Sequence, residues 1–408
     1  MSLLKSAIVI FISFVNFVND AAAAEKPLHY VFMGIPSYGH VKPTLEIVGA
    51  LTKLGHHVTY FNVSKFKSQI ELVGAKFADY NSISAQNAQP VNSRGMDLSL
   101  AYRALNDVMM ELWPTILEFK KTNKIDVIIY DQFAIWGRLL AFQYKIPSIC
   151  SSIMLLRPVE DWAKISTKTP INNTNFSYKE MIDCIACRGA DKVIAYTSSD
   201  FQTEFKENKN IIFLGNRSNK KHLRGEKFFD DKSLIYISFG TLFNCDFNLL
   251  GILIDFFENT SYELIISTGG NKEVYNKLLE KKVSKKIKIY EFVEQEDILS
   301  KASLFITHAG ASSLYEAIRF SVPMIMIPQM EEQAFNAHKA KKLGLGYILN
   351  SENISKNDIQ KALDNIKRNW KKYRDASFSI RKTFLNSLNA EAVSFLLLQF
   401  GRENKRKS

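Results

Sequence analysis

The chain has 408 residues, 46% hydrophobic and 23% charged, which is ordinary globular composition and long enough for two domains. Its formal charge of +12 comes from 53 basic and 41 acidic residues, but no stretch interleaves basic and aromatic residues as a nucleic-acid platform does, so no nucleic acid is expected as a partner. Four cysteines in a chain of this length exclude a disulfide framework.

Met1 to Lys5 carries one positive charge, Ser6 to Val18 is nearly all apolar, and Ala21 to Ala24 offer small residues for cleavage. That is the layout of a signal peptide, and the apolar run is short for a membrane span. Cleavage near Ala24 is the preferred reading and implies the secretory route or secretion; an uncleaved membrane anchor is the alternative. Residues 1–24 are set apart from the fold.

Leu28 to Met33 reads as an apolar strand, and Gly34 to His40 as a loop. Pro43 is predicted to open a helix with Leu45, Val48, Leu51 and Leu54 at helical spacing, closed by Gly55. His57 to Phe61 is the second strand, so residues 25–61 form a β-loop-α-β unit without a G-x-G-x-x-G loop. Residues 80–100 lack periodicity and read as loop. Ile125 to Tyr130 is a buried strand ending at Asp131, followed by a helix, Ala134 to Tyr144, and a strand, Ile146 to Ile149. Cys184 and Cys187 have C-x-x-C spacing without a second ligand pair, and are read as two cysteines of a helix near the core. Ile211 to Gly215 is a last short strand, and Asn216 to Lys232 is polar, aperiodic linker.

A second series begins at Leu234 to Thr241 and continues through Leu264 to Thr268 and Ile287 to Tyr290. Ser303 to Thr307 then runs into His308, Ala309 and Gly310 and a helical pattern, and Pro323 to Pro328 ends in Glu331, Glu332 and Gln333. Helical patterns fill Lys356 to Phe400. The βαβα alternation argues for an α/β chain of two Rossmann-like, doubly wound parallel sheets facing across a cleft. Residues 25–215 form the N-terminal domain, 216–232 the linker and 233–385 the C-terminal domain; 386–408 are a C-terminal helix and basic tail expected to pack back on the N-terminal domain.

Ligands of open α/β sheets bind at the carboxyl ends of strands, which singles out particular side chains. His40 and Asp131 each follow an N-terminal strand; together they suit a general base held and stabilised by a carboxylate. Alone, His40 also reads as a structural loop residue and Asp131 as a helix cap. His308 and Gly310, with Ser312 and Ser313 at a helix start, suit a diphosphate through N–H groups and the helix dipole, and Gly240 and Thr241 form a second strand-end turn. Ser312 or Ser313 alone would be a plain cap. Glu316 could take a ribose diol, and Glu332 with Gln333 sugar hydroxyls; Phe292 could stack on a base or simply pack in the core. No G-x-S-x-G or H-E-x-x-H is present, and the seven histidines form no ligand cluster, so no metal is predicted.

Read together, these residues resemble the UDP-glycosyltransferase family of the two-domain GT-B fold, and most of all bacterial macrolide-type glycosyltransferases. The resemblance is densest from Phe292 to Gly346. It implies that Phe292, followed by Val293, stacks on uracil where Trp is usual, and that Gln295 meets ribose or base; Glu294 stands where the family has Pro. It implies His308, Gly310 and Ser313 for the diphosphate, Glu316 for the ribose, and Glu332 and Gln333 for the sugar, where many members have Asp first. Gly240 and Thr241 resemble the S-x-G-[ST] turn. Gly39, His40 and Pro43 look like the family's G-H-x-x-P loop with its catalytic base, and Asp131 matches the supporting acid.

The implied reaction is inverting transfer of a hexose, glucose first among candidates, from a UDP-sugar to a hydroxyl of a small lipophilic acceptor. No cofactor and no metal is implied, and the enzyme is expected to be a monomer. The basic excess leaves room for peripheral contact with anionic membrane headgroups. A nucleotide-sugar 2-epimerase of the same fold, or a non-catalytic ligand-binding homologue, are the alternatives.

Overall fold

The computed structural model describes residues 26–81, 98–163, 177–215, 229–240, 247–350 and 354–406. The signal-like segment, most of the predicted linker, Cys245 and the candidate Thr241 lie outside these residues.

Among the described residues the N-terminal domain carries one wholly parallel sheet: β1 (His29–Met33), β2 (His57–Asn62), β3 (Lys76–Asp79), β4 (Val127–Asp131), β5 (Ser148–Ser152), β6 (Lys192–Ala195) and β7 (Ile211–Phe213). The order is β3-β2-β1-β4-β5-β6-β7. Every residue of β4, Val127 to Asp131, is buried, because helices cover both faces of a parallel sheet and its strands read as continuous apolar runs. The C-terminal sheet is built the same way from β8 (Leu234–Ser238), β9 (Glu263–Ser267), β10 (Ile287–Tyr290), β11 (Leu304–Thr307), β12 (Met324–Met326) and β13 (Gly346–Ile348), in the order β10-β9-β8-β11-β12-β13. The two doubly wound α/β domains expected from the sequence are therefore present.

Each sheet reverses its winding once, between β1 and β4 and between β8 and β11. Crevices open at the carboxyl ends of strands where that reversal occurs. Every candidate that ends one of these four strands therefore comes to a switch point.

Several local expectations are corrected. Helix α1 spans Tyr38–Lys53, so Pro43 lies inside it rather than at its start. The helix begins earlier because the Ser37 carbonyl already accepts from His40 N (3.0 Å) and Val41 N (2.9 Å). Pro43 then only withholds the N–H that would have met the Gly39 carbonyl. After α2 (Lys67–Leu72), the long α3 (Leu98–Thr122) begins within the stretch read as loop. Helix α4 spans Ile135–Tyr144, and α5 is the short Val159–Ala163. Cys184 lies in α6 (Tyr178–Ile185), but Cys187 is past its end with φ 56. Phe229 stacks on Tyr262 with ring centroids 5.4 Å apart, which ties the last residues of the predicted linker to the C-terminal domain.

The C-terminal helices are α7 (Phe247–Phe257), α8 (Lys272–Leu279), α9 (Gln295–Leu299), α10 (Ala311–Arg319), α11 (Glu331–Lys342), α12 (Lys356–Leu385) and α13 (Ala390–Lys405). Helix α13 returns to the N-terminal domain, where Val393 and Leu397 join its core. There the Tyr30 hydroxyl donates to the Leu397 carbonyl at 3.2 Å. Among the described residues no helix is long and apolar enough to cross a membrane.

The two domains share a third apolar cluster in which Leu155 and Phe201 meet Tyr315 and Phe384. The Phe201 ring lies 6.0 Å from Tyr315 and 5.8 Å from Phe384. Beside it, Ser198 and Thr383 share a hydroxyl hydrogen bond of 2.8 Å, and Lys339 pairs with Glu204 at 2.6 Å.

Candidate functional site

The switch point of the N-terminal sheet places His40, two residues into the first turn of α1, beside Asp131 at the end of β4. Nδ1 of His40 lies 2.7 Å from Oδ2 of Asp131, whose side chain is 1% exposed against 11% for the imidazole. The other carboxylate oxygen accepts from the Phe133 backbone N–H at 2.9 Å, so both oxygens are fixed. A carboxylate on Nδ1 selects the tautomer whose Nε2 carries the lone pair, the arrangement of a general base. The Phe133 ring meets the imidazole edge-on, 5.8 Å between centroids.

The switch point of the C-terminal sheet places Gly240 after β8 and His308 after β11. His308 fills the space that side chains on its neighbours would need. A Cβ on Gly240 would lie 2.8 Å from the imidazole, and one on Gly310 would collide with its Nε2. Gly240 also has φ +83, a conformation that costs glycine little. Burial holds the His308 pKa down at about 4, against an opposing bond at the Ser238 backbone. The ring is therefore neutral near pH 7 and can offer a hydrogen bond but no charge.

Helix α10 starts from Gly310 with no side chain capping its first turn. Its leading N–H groups and dipole are thus offered to an anion. Ser313 is buried and Ser312 half-buried here. A Cβ on Gly39 would come within 3.9 Å of Ser312 Oγ, so the turn carrying His40 faces this helix start directly.

One turn further on, Glu316 Oε2 accepts from Gln295 Nε2 at 2.8 Å. That amide also reaches Ser313 Oγ at 3.4 Å, while its carbonyl accepts from the Tyr236 hydroxyl at 3.3 Å. Gln295, Ser313 and Glu316 form one polar group, and its orientation is set by Tyr236 from inside the sheet. Phe292 is 49% exposed, which removes the core-packing reading. Its ring meets Tyr38 of the opposite domain edge-on at 6.3 Å. Val293 is partly buried against the shared apolar cluster. Glu294 precedes α9 with extended backbone and no side-chain cap bond.

Glu332 and Gln333 stand in the first turn of α11. Burial raises the Glu332 pKa; Asn336, Arg157 and His40 oppose that rise. Glu332 is thus within electrostatic reach of His40 in the other domain. Asn336 Nδ2 donates to Glu332 and to the Ala309 carbonyl, the latter at 3.0 Å, linking this helix to the His308 turn. Gln333 is 1% exposed, and its Oε1 accepts from Gln329 N–H at 2.8 Å, so it also stabilises its own loop.

His40, Asp131, His308, Gly310, Ser312, Ser313, Gln295, Glu316 and Glu332 thus line one cleft, with Gly240 and Gln333 behind it. Sequence reasoning missed Tyr38 and Lys42, which flank His40, and also Asn336, Tyr236 and Arg157. Lys42 has its pKa raised: burial opposes its charge, but Glu316, Tyr38, Glu296 and Glu294 outweigh it. Its position within the G-H-x-x-P loop, and that of Asn336 one turn after Glu332, were the available signals. Among the described residues no group of three or more His, Cys, Asp and Glu side chains is placed to share a metal ion.

Residues 244–389 match the model of the glycosyltransferase family 28 C-terminal domain. NDP-glycosyltransferase YjiC of Bacillus subtilis (strain 168) is 30% identical over 355 residues, covering 83% of this chain and 88% of that protein. The uncharacterized UDP-glucosyltransferase YdhE of the same organism is 25% identical, over 89% of this chain and 96% of that one. Among solved structures, CalG4, the calicheamicin glycosyltransferase, superposes with a TM-score of 0.76 at 19% identity, covering 92% of this chain and 98% of that one.

Proposed function

Because this chain belongs to the NDP-sugar-dependent glycosyltransferases of the GT-B type, we propose that it transfers glucose from UDP-glucose to a hydroxyl of a small lipophilic acceptor, with inversion. The observation that carries this reading is the 2.7 Å His40–Asp131 pair facing the His308 turn across the cleft. Nε2 of His40 takes the acceptor hydroxyl proton as that oxygen bonds to the anomeric carbon. The bond from that carbon to the β-phosphate oxygen breaks, and UDP leaves with the electron pair. Asp131 stabilises the imidazolium that forms. The leaving diphosphate is met by the N–H groups of α10, by Ser313 and by neutral His308, a pre-oriented set of donors in a shielded site.

Phe292 supplies a face for uracil, Glu316 accepts the ribose diol, and Glu332 takes the sugar hydroxyls, with Gln333 bracing its turn from behind. The name of YdhE, a UDP-glucosyltransferase, supports a UDP-glucose donor. No cofactor or metal has a role in this scheme, so chelation of divalent ions leaves turnover intact. The chain acts as a monomer and enters the secretory route through residues 1–24, which N-terminal sequencing of the mature protein tests.

The decisive experiment is a UDP-release assay over a panel of macrolide, steroid and phenolic alcohols. Acceptor-dependent release in wild type, absent in His40→Ala with UDP binding retained, supports the reading. Full turnover in His40→Ala removes the base assignment. Rapid conversion of the UDP-sugar without acceptor would indicate epimerisation.

A further inference from the structure

Arg157 belongs to the N-terminal domain, in the segment after β5, yet its guanidinium lies on the donor domain. It is 5% exposed. Its Nη2 donates to the Glu331 carbonyl at 3.3 Å, and its Cζ lies 3.9 Å from the centroid of the Phe335 ring. From its own domain Trp162 supports it at 5.0 Å. Both partners across the cleft belong to α11: Glu331 is its first residue and Phe335 lies one turn on. Glu332 and Gln333 stand between them.

Burying a guanidinium is costly unless charge and hydrogen bonding offset it. Here burial lowers the Arg157 pKa, while Glu332, Glu331 and Asp161 favour its charge. The ion stays protonated at neutral pH. A buried cation that bridges two domains beside a half-buried carboxylate is more than surface decoration.

We propose that Arg157 is a positioning residue for the donor sugar: it clasps the first turn of α11 from the acceptor domain and holds the Glu332 carboxylate towards the sugar subsite. Sugar recognition by one domain then depends on its docking against the other. The proposal rests on the reading of Glu332 as a sugar ligand. A lysine could keep the charge but not the planar stacking on Phe335 or the reach of the fork.

The test compares Arg157→Met, Arg157→Lys, Glu332→Gln and Glu204→Gln in the full-length enzyme. UDP affinity is measured by calorimetry, and donor KM and kcat at a fixed acceptor concentration. UDP lacks the transferred hexose, so Arg157→Met should raise donor KM about tenfold while UDP affinity changes less than about twofold. Arg157→Lys should fall between the two. Glu204→Gln breaks a different cross-domain pair on the same helix, with Lys339, and should leave donor KM unchanged.

An unchanged donor KM in both Arg157 variants, or a parallel loss of UDP affinity, overturns the proposal. So does an equal rise in Glu204→Gln, which would make domain docking in general the cause. If Arg157→Met does not fold, Arg157→Lys decides by the same split. An unchanged donor KM in Glu332→Gln overturns the sugar-ligand reading itself; a rise there with none in the Arg157 variants overturns only the role of Arg157.

Discussion

His40 and Asp131 are 91 positions apart in sequence and 2.7 Å apart in space. The cause is strand order: β1 and β4 are neighbours, with Met33 opposite Tyr130, so the residues following each strand share one edge. The pair tests the proposed chemistry directly. Asp131→Asn keeps the shape but can present the wrong hydrogen-bonding group to Nδ1, and it removes the charge that stabilises the imidazolium. We expect kcat to fall by roughly 10²–10⁴ with donor KM little changed. Steady-state kinetics with varied UDP-sugar checks this. A variant with kcat within about twofold of wild type would leave Asp131 no part in the reaction.

The His308 turn depends on two missing side chains. Gly240→Ala brings a Cβ to 2.8 Å from the imidazole and puts alanine at φ +83. Gly310→Ala drives a methyl group into the same ring. Each substitution must displace His308 or the turn, and overpacking of this kind costs about 1–3 kcal/mol. We expect a lower Tm and at least a roughly tenfold loss of UDP affinity in both. Gly251→Ala is the control: it lies in α7, and the nearest neighbour of its added Cβ is Lys281 Nζ at 3.6 Å, an ordinary contact. Calorimetry showing wild-type UDP affinity in both turn variants would mean that His308 does not meet the diphosphate.

The fold and the donor family were legible because buried parallel strands announce themselves as apolar runs with polar ends. β11 running into His308 and β12 running towards Glu332 are such cases. Three strands escaped notice. β3 is partly exposed at the sheet edge and β13 has only three residues, whereas β6 is buried from Val193 to Ala195 and its apolar run is simply short. Pro43 misled because a proline inside a helix removes only one N–H, a cost that other contacts can offset. Arg157 and Tyr38 were invisible for a different reason. Their partners, Glu331 and Phe292, lie in the other domain, and no periodicity within one chain segment encodes a contact across a cleft.

The neutral state of His308 links pH to stability. Its pKa is about 4 in the folded protein, against an ordinary value of 6.5. The fold therefore favours the neutral ring. This contribution is complete above the unfolded pKa and is lost as pH falls from about 6.5 towards 4. It amounts to about 3 kcal/mol at most. His308→Gln cannot titrate, so the Tm of wild type should fall more steeply than that of the variant across this window. Melting curves at half-unit pH steps measure the difference. Parallel curves would show that His308 is not held neutral by burial.

Gln295 gives a test of how the ribose carboxylate is aimed. It donates to Glu316 at 2.8 Å while its carbonyl accepts from the Tyr236 hydroxyl. An amide suits this place because it can donate and accept at once. Gln295→Glu would set a second carboxylate against Glu316, and the repulsion would turn Glu316 away or protonate one of the two. Gln295→Leu would remove the bond without adding charge. We expect UDP affinity to fall about fivefold to twentyfold for Leu and further for Glu, the ordering expected of lost alignment and added repulsion. A 2′-deoxy analogue of UDP should be less sensitive than UDP to both changes, because it offers Glu316 only one hydroxyl. Equal losses for the two nucleotides would place the Gln295 effect elsewhere than at the ribose.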